Sequence, residues 1–231
     1  QMLSEAHRLA DQAGGEVWGV YLGGDAAGAA TAAAKYGADK IFTADDPAFA
    51  RYDSELWGTA LAAFCKAQSP DLVLVGATAL GKDVAPKAAA KLGCACISDA
   101  VGLTFEGGWT VRRPIFAGKC FCEVTPTGDL ALVGIRPNAF VMEEKAGAGA
   151  AETFDPGLAG VEAKAKVTDV VTGGGGGRPE LTEAEVVVSG GRGIKGPENY
   201  DLIEKLADAF GAAAGASRAV VKIRFDPVGS V

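Results

Sequence analysis

Histidine is almost absent from this 231-residue chain, with His7 the only one. It lies in an Ala-rich amphipathic stretch at the start, where it reads as a surface or rim side chain. A single imidazole so placed cannot furnish a Ser-His-Asp arrangement, so nucleophilic hydrolase chemistry ranks last among the readings. Positive charge is short as well: 22 Lys and Arg stand against 29 Asp and Glu, giving a formal net charge of −7 and a pI near 4.9. Binding a nucleic-acid backbone needs clustered cations, so no nucleic-acid partner is expected. No run approaches about 18 consecutive strongly apolar residues, so no direct membrane insertion is expected. A cationic start followed by an apolar stretch is also missing. The expected compartment is the cytoplasm, or the mitochondrial matrix for a eukaryotic protein.

Glycine, by contrast, contributes 33 residues, and hydrophobic residues make up 48% of the chain. Alanine is commoner still. Ala-rich helices pack closely and glycine punctuates turns, which together suggest a soluble α/β protein. The length allows one large domain or one and a fraction, and a chain of this size buries roughly 70% of its unfolded surface. Of five cysteines, Cys94 and Cys96 form one C-x-C, Cys120 and Cys122 another, and Cys65 stands alone. Zinc sites favour C-x2-C spacing, whereas this alternation is that of strand residues. Buried or half-buried free thiols in a reducing compartment, with no metal, are the expectation.

Along the chain, residues 1–14 read as a helix already under way, with Leu3, Ala6, Leu9, Ala10 and Ala13 at helical spacing. A doubly wound domain begins with a strand, so the first βα unit is expected to start further upstream. Strands follow at residues 16–22, 40–43 and 71–76, the last a continuous apolar run that marks burial on both faces. Helices are expected from residue 26 to about Gly37, over 54–68 with Ser54 as N-cap, and over 80–92 with Gly93 as the stop. This alternation implies a parallel sheet with right-handed crossovers. After Gly93 four segments, 100–105, 109–114, 119–126 and 130–136, read as antiparallel strands. The resulting division is a first domain over residues 1–144, a Gly/Ala-rich linker over 145–180 with an extended segment at 165–171 and five glycines at 173–177, and a partial domain over 181–231. In that last part a strand at 184–188, a helix at 199–210 and a strand at 216–221 make a single βαβ unit.

The best local candidate for chemistry is the loop Ser189-Gly190-Gly191-Arg192-Gly193. A strand ending in glycines before a helix exposes backbone N–H groups and the positive helix end to an anion, and Arg192 adds a guanidinium suited to phosphate. The bland reading is that any βα turn needs glycine. Ser217 and Arg218, at the next expected strand, would reach the same region, and a strand arginine suggests an anionic partner. A strand-end surface arginine is the alternative. Gly76 with Gly81-Lys82-Asp83 resembles a phosphate-cradling turn but places an acid where a hydroxyl is needed, and reads as structural. Asp45, Asp46, Asp53 and Glu55 form an acidic stretch that reads as a solvated loop in preference to a Mg²⁺ site.

Taken together, these segments resemble the electron transfer flavoprotein alpha-subunit family. The match is densest in VVVSGGRGIKGPENYDLIEKLADAFGAAAGASRAVV at 186–221, preceded by RPELTEAE at 178–185. LVGATALGKDVAPKAAAKLG at 74–93, ISDAVGL at 97–103, RPIFAGKCFCEV at 113–124 and IRPNAF at 135–140 follow the family in order. The resemblance implies an adenine-nucleotide α-hydrolase-like first domain with added antiparallel strands, acting as a partner-docking scaffold, followed by the start of a doubly wound FAD-binding domain. It implies a heterodimer with a beta subunit that takes electrons from flavin dehydrogenases, such as the acyl-CoA dehydrogenases of fatty acid beta-oxidation, and passes them to a quinone reductase or another acceptor. By position, Gly190, Gly191, Arg192, Ser217 and Arg218 would contact FAD. Arg218 would lie over the isoalloxazine ring and raise its potential.

The sequence departs from the family after Val221. A Gln-x-Gly-Gln-Thr-Gly loop and a Gly-Ile-Ser-Gly-Ala-x-Gln-His stretch hold the flavin in that family, and residues 222–231 carry neither. The chain is therefore expected to be a piece of an alpha subunit, truncated at its C-terminus and also at its N-terminus, that keeps the entrance to the flavin site. Two other readings stay open. One is a non-redox subunit whose first domain holds a nucleotide such as AMP or ATP, and the other is a structural subunit that docks a beta-type partner without FAD.

Overall fold

A computed structural model describes residues 1–170, 177–181 and 183–225, with side chains through Val221. The chain divides into two compact units, Gln1–Thr168 and Asp169–Val231. The five-glycine run lies outside the described residues apart from Gly177.

The first unit alternates helices and strands. Helix α1 (Met2–Ala13) ends at Gly14, whose φ of 75° lets its N–H reach Ala10 O. Strand β1 (Trp18–Leu22) leads to α2 (Ala26–Ala34), capped by Asp25, and to β2 (Lys40–Ala44). Helix α3 (Ser54–Gln68) is capped by Asp53, whose carboxylate accepts from Glu55 N at 2.9 Å and Leu56 N at 3.0 Å. The expected cap, Ser54, is instead the first helical residue. Either type can cap; here Asp53 has the extended backbone that the cap position requires. Strand β3 (Leu72–Gly76) and α4 (Ala79–Leu92) follow, the helix capped by Thr78 and stopped by Gly93.

Beyond Gly93 the first unit has strands β4 (Ala95–Ala100), β5 (Gly102–Phe105), β6 (Trp109–Ile115), β7 (Cys120–Val124), β8 (Ala131–Ile135) and β9 (Ala150–Thr153). The β5-β6-β7 meander is antiparallel, as the Gly-rich turns suggest. The segment expected as a fourth antiparallel strand is β8, and it lies parallel between β3 and β4 with all five residues buried. Its ALVGI run is apolar on both faces, which suits only a central strand covered by helices. The linker range does hold one strand, but it is β9, in parallel register with β2, and not the segment expected at 165–171. Residues 165–170 form no strand, and Val171 lies outside the described residues.

Two clusters cover the faces of the β3-β8-β4 sheet. On one side Leu132 packs with Phe42, Leu61 and Phe64, and with Val84 and Ala88 of α4. On the other, Val133 and Ile135 pack with Leu9 of α1, Ile97, Leu103 and Val111. Successive residues of β8 thus serve opposite faces, the period-2 rule at work. Glu55 locks α3 to α4 by accepting from Lys87 at 2.8 Å and Lys91 at 2.5 Å.

In the second unit, β10 (Val187–Gly190) pairs parallel with β11 (Ala213–Ala216), joined by α5 (Asp201–Phe210), and α6 (Arg218–Phe225) follows. Both strands are displaced from expectation. The first was expected at 184–188. The second was expected at 216–221, where β-branched residues favour a strand. Gly211, at φ 60°, closes α5 so tightly that the chain turns straight into the small residues AAGA.

Candidate functional site

The site is built on the carboxyl edge of the β10–β11 pair. Ser189 stands opposite Gly215 and Gly190 opposite Ala216, so the two strands end level. One further bond, from Ser217 N to Gly190 O at 3.0 Å, carries the pairing past the strand ends. The loops that leave this edge hold Gly191 and Arg192 on one side and Ser217 and Arg218 on the other. The five residues assigned to the flavin in the sequence, Gly190, Gly191, Arg192, Ser217 and Arg218, therefore lie along one edge. Arg218 is not in a strand as expected: it is the first residue of α6, and Ser217 O accepts from Val220 N at 2.9 Å and Val221 N at 3.1 Å. A helix start there adds a positive dipole end to the two guanidiniums.

Close packing explains the glycines. A Cβ on buried Gly190 would meet Ile194 Cγ1 and Ile203 Cγ1 at 3.2 Å and Tyr200 Cε2 at 3.3 Å, while one on Gly215 would come within 2.6 Å of Ser189 Oγ. Around Gly191 and Gly193 the opposite holds, with nothing within 4 Å, so their backbone is uncovered. The loop keeps its shape through Ile194 N donating to Gly191 O at 3.0 Å and Asn199 Nδ2 donating to Ile194 O at 3.0 Å. Tyr200, which sequence reasoning missed, fixes β11 to the start of α5: its buried hydroxyl donates to Gly215 O at 2.9 Å. The only signal in the sequence was an amphipathic aromatic at the head of a helix beside two glycine strands.

The charges at this edge are unspent. Arg192, Ser217 and Arg218 are exposed, and among the described residues neither arginine pairs with a carboxylate. Two other arginines are held fork to fork. Arg178 donates to Asp208 at 2.6 and 2.8 Å, and Arg136 to Asp99 at 2.9 and 2.7 Å. Those pairs lower the Asp208 and Asp99 carboxyls below their ordinary range. Two free cations beside open glycine backbone suit an anionic, phosphate-bearing ligand.

The remaining candidates have structural roles. Gly81 fits tightly against Gly76, where a Cβ would overlap the carbonyl oxygen, and Asp83 accepts from Tyr52 Oη at 2.6 Å. Asp46 caps a short turn, Asp53 caps α3 and Glu55 binds the two lysines. His7 sits near Asp11 and Lys145. Cys65 is buried, and burial pushes its thiol up to about 12. Cys94 and Cys122 are half-buried, whereas Cys96 and Cys120 are exposed, more open than expected because both occupy outward strand positions. Among the described residues no group of three or more His, Cys, Asp or Glu side chains is placed to hold a metal ion, and no helix is long and apolar enough to cross a membrane.

Comparison with known proteins adds a second line. The family model described as "Electron transfer flavoprotein domain" matches residues 1–158, and "Electron transfer flavoprotein FAD-binding domain" matches residues 180–227. A protein named electron transfer flavoprotein subunit alpha from Bacillus subtilis (strain 168) is 38% identical over 207 residues, covering 88% of this chain and 63% of that protein. One of the same name from Syntrophomonas wolfei is 39% identical over 228 residues, covering 96% and 68%. Another from Pseudomonas aeruginosa is 35% identical over 215 residues, covering 93% and 68%. The chain thus spans about two-thirds of the length of the relatives it matches.

Proposed function

Because the chain belongs to the electron transfer flavoprotein alpha-subunit family, we propose that its second unit supplies one edge of an FAD site in a protein that carries electrons as a heterodimer with a beta-type subunit. The observation that carries this reading is the convergence of Arg192, Ser217 and Arg218 on the carboxyl edge of two parallel strands, with no described carboxylate to neutralise them. Ligands of open parallel sheets bind outside the carboxyl ends of the strands. Uncovered Gly191 and Gly193 leave room for backbone to approach a pyrophosphate, so the residues present fit a dinucleotide flavin.

In this reading Gly190 and Gly191 hold the loop close, Arg192 binds anionic oxygen, and Ser217 offers a hydroxyl at the start of α6. Arg218 presents a planar cation to a planar ring. Bound flavin supplies the one- and two-electron redox chemistry that no side chain here can perform. The Arg218 guanidinium keeps its charge at any working pH, so it favours negative charge beside it at all times. Electron donors of the flavin-dehydrogenase class, including acyl-CoA dehydrogenases, and an acceptor such as a quinone reductase complete the proposal. The first unit serves as the surface for the beta-type subunit.

The test is a visible absorbance spectrum of the purified chain with added FAD and a beta-type subunit. A flavin band that stays with the protein after desalting and bleaches on reduction is expected. A stable but colourless complex would instead assign the chain a docking role without redox chemistry.

A further inference from the structure

A further pair of arginines lies wholly in the first unit. Arg113 near the end of β6, Asp99 near the end of β4 and Arg136 just past β8 border a cavity of about 400 Å³, the size of a small-molecule site. The turn Phe116-Ala117-Gly118, between β6 and β7, lines it as well. Strands β4 and β8 run parallel and end together, Ala100 opposite Ile135. The cavity therefore lies at the carboxyl edge of the β3-β8-β4 sheet, the edge where open parallel sheets take their ligands.

Asp99 and Arg136 account for each other. The Asp99 carboxylate accepts from Arg136 Nε at 2.9 Å and Nη2 at 2.7 Å, which straps β4 to the end of β8. Arg113 has no such partner: its Nε is buried, and among the described residues nothing accepts a hydrogen bond from it. A buried guanidinium N–H left unpaired is costly, and a bound acceptor is the ordinary explanation. The balance of charge agrees. The hydrogen bonds from Arg136 hold the Asp99 carboxyl below its usual range, and the charges of Lys82 and Arg113 add to the effect. Three cations thus stand around one carboxylate.

The turn carries strain that its own packing does not offset. Phe116, Ala117 and Gly118 have φ of 50°, 56° and 86°, left-handed residues in succession, yet the Phe116 side chain is 75% exposed. Asp99 is left-handed too, at φ 65°. Non-glycine residues in this region are costly and collect where a ligand is clamped. A Cβ on Gly118 would meet nothing within 4 Å, so the backbone there is open. We propose that this cavity binds a small phosphate monoester. Its double negative charge balances the surplus of cations over Asp99. The Arg113 Nε–H and the Arg136 N–H groups that Asp99 leaves free donate to its oxygens, and its organic part lies against the exposed Phe116 ring.

The experiment titrates phenyl phosphate, inorganic phosphate and benzoate into the chain by calorimetry, alone and with a beta-type subunit, against sodium chloride at matched ionic strength. Parent, Arg113→Gln, Phe116→Ala and Arg192→Ala are compared. The parent should prefer phenyl phosphate to benzoate. Arg113→Gln should bind phenyl phosphate at least tenfold more weakly while keeping its thermal midpoint, because no group of the protein accepts from that Nε. Phe116→Ala should lose affinity for phenyl phosphate and keep it for inorganic phosphate. Arg192→Ala, altered at the edge assigned to the flavin, should match the parent, so a failure here and a failure at that edge show separately. A folded parent that binds no phosphate above the chloride control would overturn the proposal. So would equal phenyl phosphate binding by parent and Arg113→Gln, or by parent and Phe116→Ala. Binding that vanishes when the beta-type subunit is added would overturn it too, since a carboxylate of that subunit would then be the occupant.

Discussion

Replacing Tyr200 with phenylalanine removes one hydroxyl and leaves the ring that packs on Gly190. The ring is 6% exposed, so the substitution opens no route for water. What it removes is one of two donors to the Gly215 carbonyl, which keeps its place in the parallel ladder with β10. The net worth of an ordinary hydrogen bond is about 0.5–1.5 kcal/mol. At about 1.4 kcal/mol per factor of ten, local opening of the second unit should become roughly 2- to 12-fold more frequent. The three tryptophans, Trp18, Trp57 and Trp109, all lie in the first unit, so fluorescence would miss the change. Native-state hydrogen exchange on peptides spanning 187–190 and 213–216 reads it directly. Tyr200→Phe should lower protection there and leave peptides of β3 and β8 as they were. Unchanged protection in the second unit, or an equal loss in both, would refute the claim that this hydroxyl fixes β11 to the start of α5.

Gly81→Ala should prevent α4 from docking on β3, because the new Cβ would fall 1.9 Å from Gly76 O, and backbone cannot swing away as a side chain can. Loss of cooperative unfolding in the first unit, followed by near-UV dichroism, is the expected result. The pH dependence of the α3–α4 contact follows from Glu55, whose carboxyl is lowered from 4.5 to about 2, first by the hydrogen bonds from Lys87 and Lys91. A depressed carboxyl stabilises above its unfolded pKa, so the contribution is whole above about pH 4.5 and is lost as pH falls through about 2. Glu55→Gln should therefore melt below the parent at pH 7, with the gap closing between pH 4.5 and 2.

The fold was legible wherever local pattern and tertiary role agree. The run at β3 is apolar because both its faces are covered, and α3 and α4 carry caps and stops at their ends. Reading failed where context overrides propensity. Strand β8 follows two hairpins and a Thr-Gly-Asp turn, which pulled it toward the antiparallel meander although its own composition is that of a central strand. Strand β9 is four exposed residues, AAET, that owe their extended form to the register with β2. Strand β11 is alanine and glycine, poor strand formers held in place by Gly190 and Tyr200. The candidate site was legible at Arg192, Ser217 and Arg218 because a βαβ unit places successive βα loops on one edge. Tyr200 was not, since its part depends on a carbonyl 15 residues away in sequence.

The account rests on the edge formed by Arg192, Ser217 and Arg218, and a titration of FAD into the chain with its beta-type partner tests it most directly. Parent, Arg192→Ala, Arg218→Ala and, as a control in the first unit, Arg51→Ala would be compared by flavin absorbance and fluorescence. Losing a hydrogen bond to a charged group costs about 1.5–3 kcal/mol, so each site variant should bind roughly 10- to 150-fold more weakly while the control matches the parent. Arg218→Ala should also lower the flavin potential. Equal affinity in all four proteins, or no flavin bound by any, would contradict the assignment of this edge to the flavin.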